Sequence, residues 1–85
     1  MTEAEEKALE HIVGLVGSLC GHPMTHEVSS TPKTRIITLH LDKRDRGRVI
    51  GSGGRIFESF RTVCRALSGK YGTRILIEID EEEIK

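Results

Sequence analysis

Two glycines three residues apart, Gly51 and Gly54, interrupt a stretch of helical periodicity in this chain of 85 residues. Apolar residues flank the pair, with Val49 and Ile50 before it and Ile56 after it. Because glycine adopts backbone angles that other residues avoid, this spacing predicts a tight turn between two short helices. Such a turn exposes backbone N–H groups at the start of the second helix, where a phosphate-bearing chain can dock.

Local signals predict the elements around this turn. Thr2 and Glu5 have the spacing of a capping box, and Gly21 before His22-Pro23 is a helix stop signal. Strict alternation predicts strands on both sides of the helices, with Ile75, Ile77 and Ile79 facing one way in the last strand. The predicted order is a helix from Thr2 to Gly21, an edge strand over 24–30, a strand over 34–41, a short helix capped by Asp42, the glycine turn, a helix starting near Arg55 and a strand over 73–80.

The helix after the turn carries a predicted core stripe. Steps of three and four residues place one set of apolar side chains on a single face. That set is Ile56, Phe60, Val63 and Leu67, with Cys64 and Ala66 beside it.

Charge is sorted along the chain although the formal net charge is zero. Residues 33–74 hold eleven Lys and Arg against three Asp and Glu, whereas residues 1–32 and 75–85 are both acidic. A basic middle around the glycine turn is typical of a small protein that binds a phosphate backbone, although solvated helix faces would give a similar balance.

The length predicts one domain over residues 1–85 with a modest core, and it is too short for a two-domain enzyme with an enclosed cleft. No apolar run is long enough for a membrane span, and the N-terminus lacks the pattern of a signal peptide. We therefore expect a cytoplasmic protein without membrane association. Cys20 and Cys64 are expected to be free thiols on apolar helix faces.

The element order and the segment Val49-Ile50-Gly51-Ser52-Gly53-Gly54-Arg55-Ile56 together resemble the type II KH domain. The length and the preceding Asp45-Arg46-Gly47-Arg48 are similar to small stand-alone bacterial KH proteins of the KhpA type. The resemblance covers the whole chain. It implies an α+β fold of order α-β-β-α-α-β, in which three helices pack on one face of a three-stranded mixed sheet.

The resemblance also implies a function. KH domains bind about four nucleotides of single-stranded RNA, and their GxxG loop clamps the backbone. The resemblance to KhpA-like proteins implies that this chain acts as a small RNA chaperone or post-transcriptional regulator. They form homodimers, or heterodimers with another KH-containing protein.

The predicted RNA-binding residues have three roles. The loop residues Gly51, Ser52, Gly53 and Gly54 would contact the sugar-phosphate chain, and Ser52 stands where the family often has Lys. Arg48, Arg55 and Arg61 would contact phosphates. Val49, Ile50 and Ile56 would form an apolar platform for bases, with plain core packing as the alternative, and one strand would form the far wall of the groove.

Three other interpretations are weaker. Cys20, His22 and His26 have a spacing compatible with zinc, but a structural site needs a fourth ligand, so no metal or cofactor is expected. The glycine turn lacks the Gly-Lys-Ser/Thr ending of a P-loop and follows a helix, which argues against a nucleotide-dependent enzyme. A protein-interaction or dimerisation module with the same fold and weak RNA binding stays open as the alternative function.

Overall fold

The computed structural model describes residues 2–80, so the acidic residues 81–83 lie outside the described range. Its elements follow the predicted order, and most bounds agree within two residues. The helices are α1 (Glu3–Leu19), α2 (Arg46–Ile50) and α3 (Arg55–Tyr71), and the strands are β1 (Thr25–Ser30), β2 (Thr34–His40) and β3 (Arg74–Ile79). Short 3₁₀ turns, Lys43–Asp45 and Ser52–Gly54, precede α2 and α3.

The three strands form a mixed sheet of order β1-β2-β3. β1 pairs with β2 in antiparallel register, with Val28 opposite Ile37, whereas β2 and β3 are parallel, with Ile37 opposite Ile77. β1 is an exposed edge strand, as predicted from its polar sequence. The other edge belongs to β3, which follows α3 through a short turn.

The helices cover one face of the sheet, and this confirms the predicted α+β fold. Alternate residues of β2 and β3 are buried against the helices because side chains of a strand alternate between its two faces. The buried apolar core contains Leu9, Ile12, Val13, Val16, Ile37, Leu39, Val49, Cys64, Ile75 and Ile77.

The predicted cap of α1 is confirmed. The hydroxyl oxygen of Thr2 accepts a hydrogen bond from the backbone N–H of Glu5 at 3.1 Å. The Glu5 side chain is itself buried beside Arg35, whose Nε lies 3.6 Å from a Glu5 carboxylate oxygen. This buried ion pair between α1 and β2 was not predicted, because its partners are thirty residues apart in sequence.

The core stripe of α3 is rotated from the predicted one. Cys64 is buried, and Phe57, Phe60 and Leu67 pack against the core. By contrast, Ile56 is 38% exposed and Val63 is 47% exposed, and Ala66 is also exposed. Both sets of apolar residues have helical spacing, so the approach of α3 to the sheet selects between them.

Two further expectations concern the cysteines and membrane spans. Cys20 and Cys64 are free thiols, and burial raises the pKa of both. Within residues 2–80, no helix combines the length and hydropathy needed to cross a membrane.

Candidate nucleic-acid interface

The glycine turn joins α2 to α3 through three positive φ angles. The N–H of Gly51 donates to the carbonyl of Gly47 at 2.9 Å and ends α2, and Gly51 itself has φ 81° and ψ 170°. Gly53 and Gly54 follow with φ of 65° and 78°. A Cβ atom at Gly51 would lie 2.7 Å from Cγ1 of Ile56, so this position requires glycine for space as well as for conformation.

The tip of the turn is open to solvent. Ser52 and Gly53 are exposed, and a Cβ atom at Gly53 would meet nothing within 4 Å. α3 begins after Gly54 without a side-chain cap. The first turn of a helix leaves backbone N–H groups without helical partners, and these groups favour an anion. Here the N–H groups of Gly54 and Arg55 already donate to the carbonyls of Gly51 and Ser52, so an anion would meet the N–H groups that follow them. The turn therefore presents an accessible helix N-terminus of a 17-residue helix.

A buried carboxylate holds the segment that leads into α2. Asp45 is 1% exposed, and its carboxylate accepts hydrogen bonds from the backbone N–H groups of Gly21 at 3.0 Å and His22 at 3.1 Å. Nδ1 of His22 lies 3.2 Å from the same carboxylate. These bonds, led by the one from Gly21, hold the pKa of Asp45 below its usual value. The sequence carried no signal for these bonds, because their partners are more than twenty residues apart.

A second contact ties α2 to the sheet. Nη2 of Arg46 donates to the backbone carbonyl of Asp80 at 3.3 Å, just beyond the end of β3. Together, Asp45 and Arg46 fix the start of α2 against the end of α1 and the end of β3. These contacts therefore fix the position of the helix that carries the glycine turn.

An open groove of about 510 Å³ runs between the glycine turn and β3. One wall comes from the turn and α3, and the other comes from the end of β3. The first wall contains Ile50, Gly53, Gly54, Arg55, Phe57, Glu58 and Arg61, and the second contains Glu78 and Ile79.

The structure brings five of the ten predicted residues into this groove. They are Ile50, Gly53, Gly54, Arg55 and Arg61. Gly51 and Ser52 lie in the same turn outside the groove lining, and Ile56 packs against Gly51 beside it.

Two predicted residues lie elsewhere. Val49 is completely buried, so its side chain supports the turn from the core and offers no surface to a base. Arg48 is exposed, but its guanidinium lies beside the end of α1, because a Cβ atom at Gly21 would be 3.7 Å from Nη1. The side chain of Arg48 therefore does not line the groove.

Four residues that line the groove were not predicted from the sequence: Phe57, Glu58, Glu78 and Ile79. The guanidinium of Arg61 lies over the ring of Phe57, with its central carbon 5.1 Å from the ring centroid. This pair has the spacing i, i+4 that places two side chains on one helix face, so the sequence did carry a signal for it. The two residues from β3 had no such signal, because their position depends on how the strand packs beside α3.

The groove-facing side of β3 is an open strand edge. The N–H groups of Arg74 and Asp80 donate to carbonyls of Lys33 and Leu39, on the β2 side. In a parallel ladder, alternate residues turn their backbone groups to opposite sides, so those of Ile75, Ile77 and Ile79 face away from β2. In agreement, the N–H of Ile75 donates to the hydroxyl of Ser68 on α3 at 2.8 Å.

Both carboxylates of the groove have partners. A carboxylate oxygen of Glu58 lies 2.8 Å from Nη2 of Arg65, two turns further along α3. The carboxylate of Glu78 accepts from the hydroxyl of Thr38 at 3.2 Å, on the sheet face that the helices leave uncovered. Within residues 2–80, Glu58 and Glu78 are the carboxylates that line this groove.

The residues considered for zinc do not converge. His22 bonds to Asp45, and His26 lies on the exposed strand β1. Among residues 2–80, no three side chains of His, Cys, Asp or Glu form a group that could hold a metal ion.

Comparison with known proteins adds an independent observation. Residues 7–79 match the family model described as the KH domain of KhpA/KhpB. A protein of Listeria monocytogenes named RNA-binding protein KhpA is 38% identical over 76 residues, which are 85% of this chain and 97% of that protein. Its namesake from Streptococcus pneumoniae is 34% identical over 73 residues, 84% of this chain and 91% of that protein.

A further similar protein, the RNA-binding protein KhpA of Aquifex aeolicus, is 43% identical over 49 residues. That match covers 58% of this chain and 62% of the Aquifex protein. No solved structure matches the chain.

Proposed function

Because the chain belongs to the KhpA/KhpB KH-domain family, we propose that it binds single-stranded RNA in the groove between its glycine turn and β3. The family assignment also agrees with the prediction that the chain is not an enzyme. In the cell, the protein would act in the cytoplasm as a small RNA chaperone or post-transcriptional regulator.

The turn supplies the clamp for the RNA backbone. Gly53 has no side chain and stands at the rim of the groove, so a sugar-phosphate chain can approach the first N–H groups of α3 closely. Arg55 and Arg61 lie on the same helix and add charge where Ser52 adds none. Phosphates on this wall would make binding salt-dependent, with a slope of about −0.7 per phosphate neutralised.

The bases would lie toward β3. Ile50 and Phe57 on one wall and Ile79 on the other give the groove its apolar surface, and the outward backbone groups of β3 offer donors and acceptors to base edges. The observation that carries the proposal is this arrangement: an exposed, glycine-rich turn faces an open strand edge across a groove lined by two arginines.

The test is fluorescence anisotropy of mixed single-stranded RNA oligomers at two salt concentrations, with Gly53→Asp and Gly53→Asn. Both Asp and Asn tolerate positive φ, and a Cβ atom at this position meets nothing within 4 Å, so the two variants differ mainly in charge. One unit charge about 4 Å from a phosphate costs about 1 kcal/mol in a water-like medium, which is roughly a fivefold loss. We expect that loss for Gly53→Asp and near wild-type affinity for Gly53→Asn. Equal affinity of wild type and Gly53→Asp, with both folded by circular dichroism, would place the RNA elsewhere.

A second candidate function is self-association, or association with another KH-containing protein. Its support is the exposed apolar side of α3, where Val63 is 47% and Ile56 is 38% exposed. Sedimentation of the wild type, Val63→Glu and the control Leu15→Glu on α1 tests it, since Leu15 is 60% exposed. A dimer lost only in Val63→Glu supports this function, and a monomeric wild type contradicts the homodimer.

A further inference from the structure

A second groove continues the first along the open edge of β3. It encloses about 290 Å³ and shares Arg61 and Glu78 with the groove beside the glycine turn. Its other lining residues are Cys64 and Arg65 of α3 and Ile75, Leu76 and Ile77 of β3. The two grooves meet at Arg61 and Glu78, so they lie end to end between α3 and β3, and together they are called the channel.

The two walls of this channel match in length and in chemistry. Arg55 and Arg65 are ten residues apart on α3, which is about 15 Å at the rise of an α-helix. The outward backbone groups of β3 run from Ile75 to Ile79, about 13 Å of extended chain. One wall therefore carries three arginines with Glu58 between the first two, and the other offers strand-edge polar groups, apolar surface and the carboxylate of Glu78.

We propose that bound RNA continues from the glycine turn into this second groove, where Arg65 contacts an additional phosphate. The footprint would then exceed the four nucleotides typical of a KH domain. The inference rests on the proposed RNA binding, and it adds a second segment of the binding path at a place that the glycine turn does not reach.

The ion pair of Arg65 with Glu58 does not prevent this contact. The two side chains are 64% and 57% exposed, and exposed ion pairs of this kind contribute at most about 1 kcal/mol. A phosphate can therefore displace the Glu58 carboxylate from the guanidinium. Conversely, Glu58→Gln frees Arg65 and should raise the affinity for RNA long enough to enter the second groove.

Strand addition by a protein partner is the competing use of this edge. The hydroxyl of Ser68 already occupies the N–H of Ile75, so a pairing strand could not bond to the whole edge. The arginines on the opposite wall also favour a polyanion. These two observations make RNA the better occupant.

The experiment compares RNA of four and eight nucleotides of one mixed composition, using anisotropy at several salt concentrations. The proteins are wild type, Arg65→Gln, Glu58→Gln and the matched control Arg74→Gln, whose exposed residue lines neither groove. Because an octamer can bind in several registers, each variant is compared with wild type at the same RNA length.

We expect Arg65→Gln to weaken octamer binding about fivefold, to reduce the salt slope by about 0.7, and to leave tetramer binding within twofold of wild type. Arg74→Gln should change neither length, and Glu58→Gln should strengthen octamer binding. If Arg65→Gln weakens both lengths equally, or neither, the second segment is refuted while the glycine-turn site stands. If wild type binds neither length, the proposed function fails as well.

Discussion

Substitution of Gly51 by alanine is the sharpest test of the turn geometry. Its φ of 81° and ψ of 170° lie in a region that is almost exclusive to glycine. A Cβ atom there would also lie 2.7 Å from Cγ1 and 2.9 Å from Cβ of Ile56. By contrast, Gly53 has φ 65° and ψ 17°, and nothing lies within 4 Å of its Cβ position.

The different surroundings of Gly51 and Gly53 predict unequal losses of folding stability when each is replaced by alanine. The backbone conformation at Gly51 costs alanine about 2 kcal/mol. The overlap adds about 1 kcal/mol, since the partly exposed Ile56 can move away only in part. We therefore expect Gly51→Ala to lower the free energy of unfolding by about 3 kcal/mol. Gly53→Ala should lower it by about 1 kcal/mol, the usual cost of a left-handed alanine.

Urea unfolding followed by circular dichroism measures both values. The double variant Gly51→Ala/Ile56→Ala separates their causes, because it removes Cγ1 and Cδ1 of Ile56 and leaves the Cβ contact. The loss of unfolding free energy in the double variant should be about 0.5–1 kcal/mol smaller than the sum of the losses in the two single variants. If Gly51→Ala is no more destabilised than Gly53→Ala, then the conformation and the close approach described for Gly51 are wrong.

Two pH-dependent predictions follow from buried and bridged side chains. Asp45→Asn should unfold at lower urea than Asp42→Asn, because an amide cannot accept both the Gly21 and His22 N–H bonds. Since those bonds lower the pKa of Asp45, its stabilisation is present above the unfolded pKa of about 3.9 and is lost as pH falls through the folded pKa. Acid unfolding curves of Asp45→Asn should therefore lack that loss, and parallel curves would contradict the role of Asp45. His40 has a raised pKa because Nε2 bonds to Glu27 at 2.7 Å and because Asp80 is close, with its carboxylate 2.9 Å from Nδ1. Its stabilisation should be complete below about pH 6.5 and should disappear as pH rises through the folded pKa, so an NMR titration midpoint at or below 6.5 would refute the bridge.

Much of the fold was predictable because its signals are local. The Thr2 cap and the glycine turn depend on residues within a few positions of each other, and the structure confirms them. The first helix was predicted to stop at Gly21 and ends at Leu19, without a left-handed glycine. The alternation of Ile75 and Ile77 is equally local, and both are buried as predicted.

Long-range contacts were predicted less well. Nothing in the sequence indicated the contacts of Asp45, because its carboxylate reaches residues more than twenty positions away. Likewise, the apolar spacing of α3 allowed two faces, and Val63 was assigned to the buried one. Arg48 was expected in the site because it is close to the turn in sequence, yet its side chain lies beside α1.

The sequence alone determined the order of elements, the place of the glycine turn and the concentration of positive charge around it, since each depends on nearest neighbours along the chain. Packing decided which side of α3 meets the sheet, which arginines border the groove and which edge of β3 remains open. Those choices follow from how whole helices and strands fit together, because burial of one face excludes the other. The site therefore combines a turn that the chain specifies locally with a channel that only the assembled layers create.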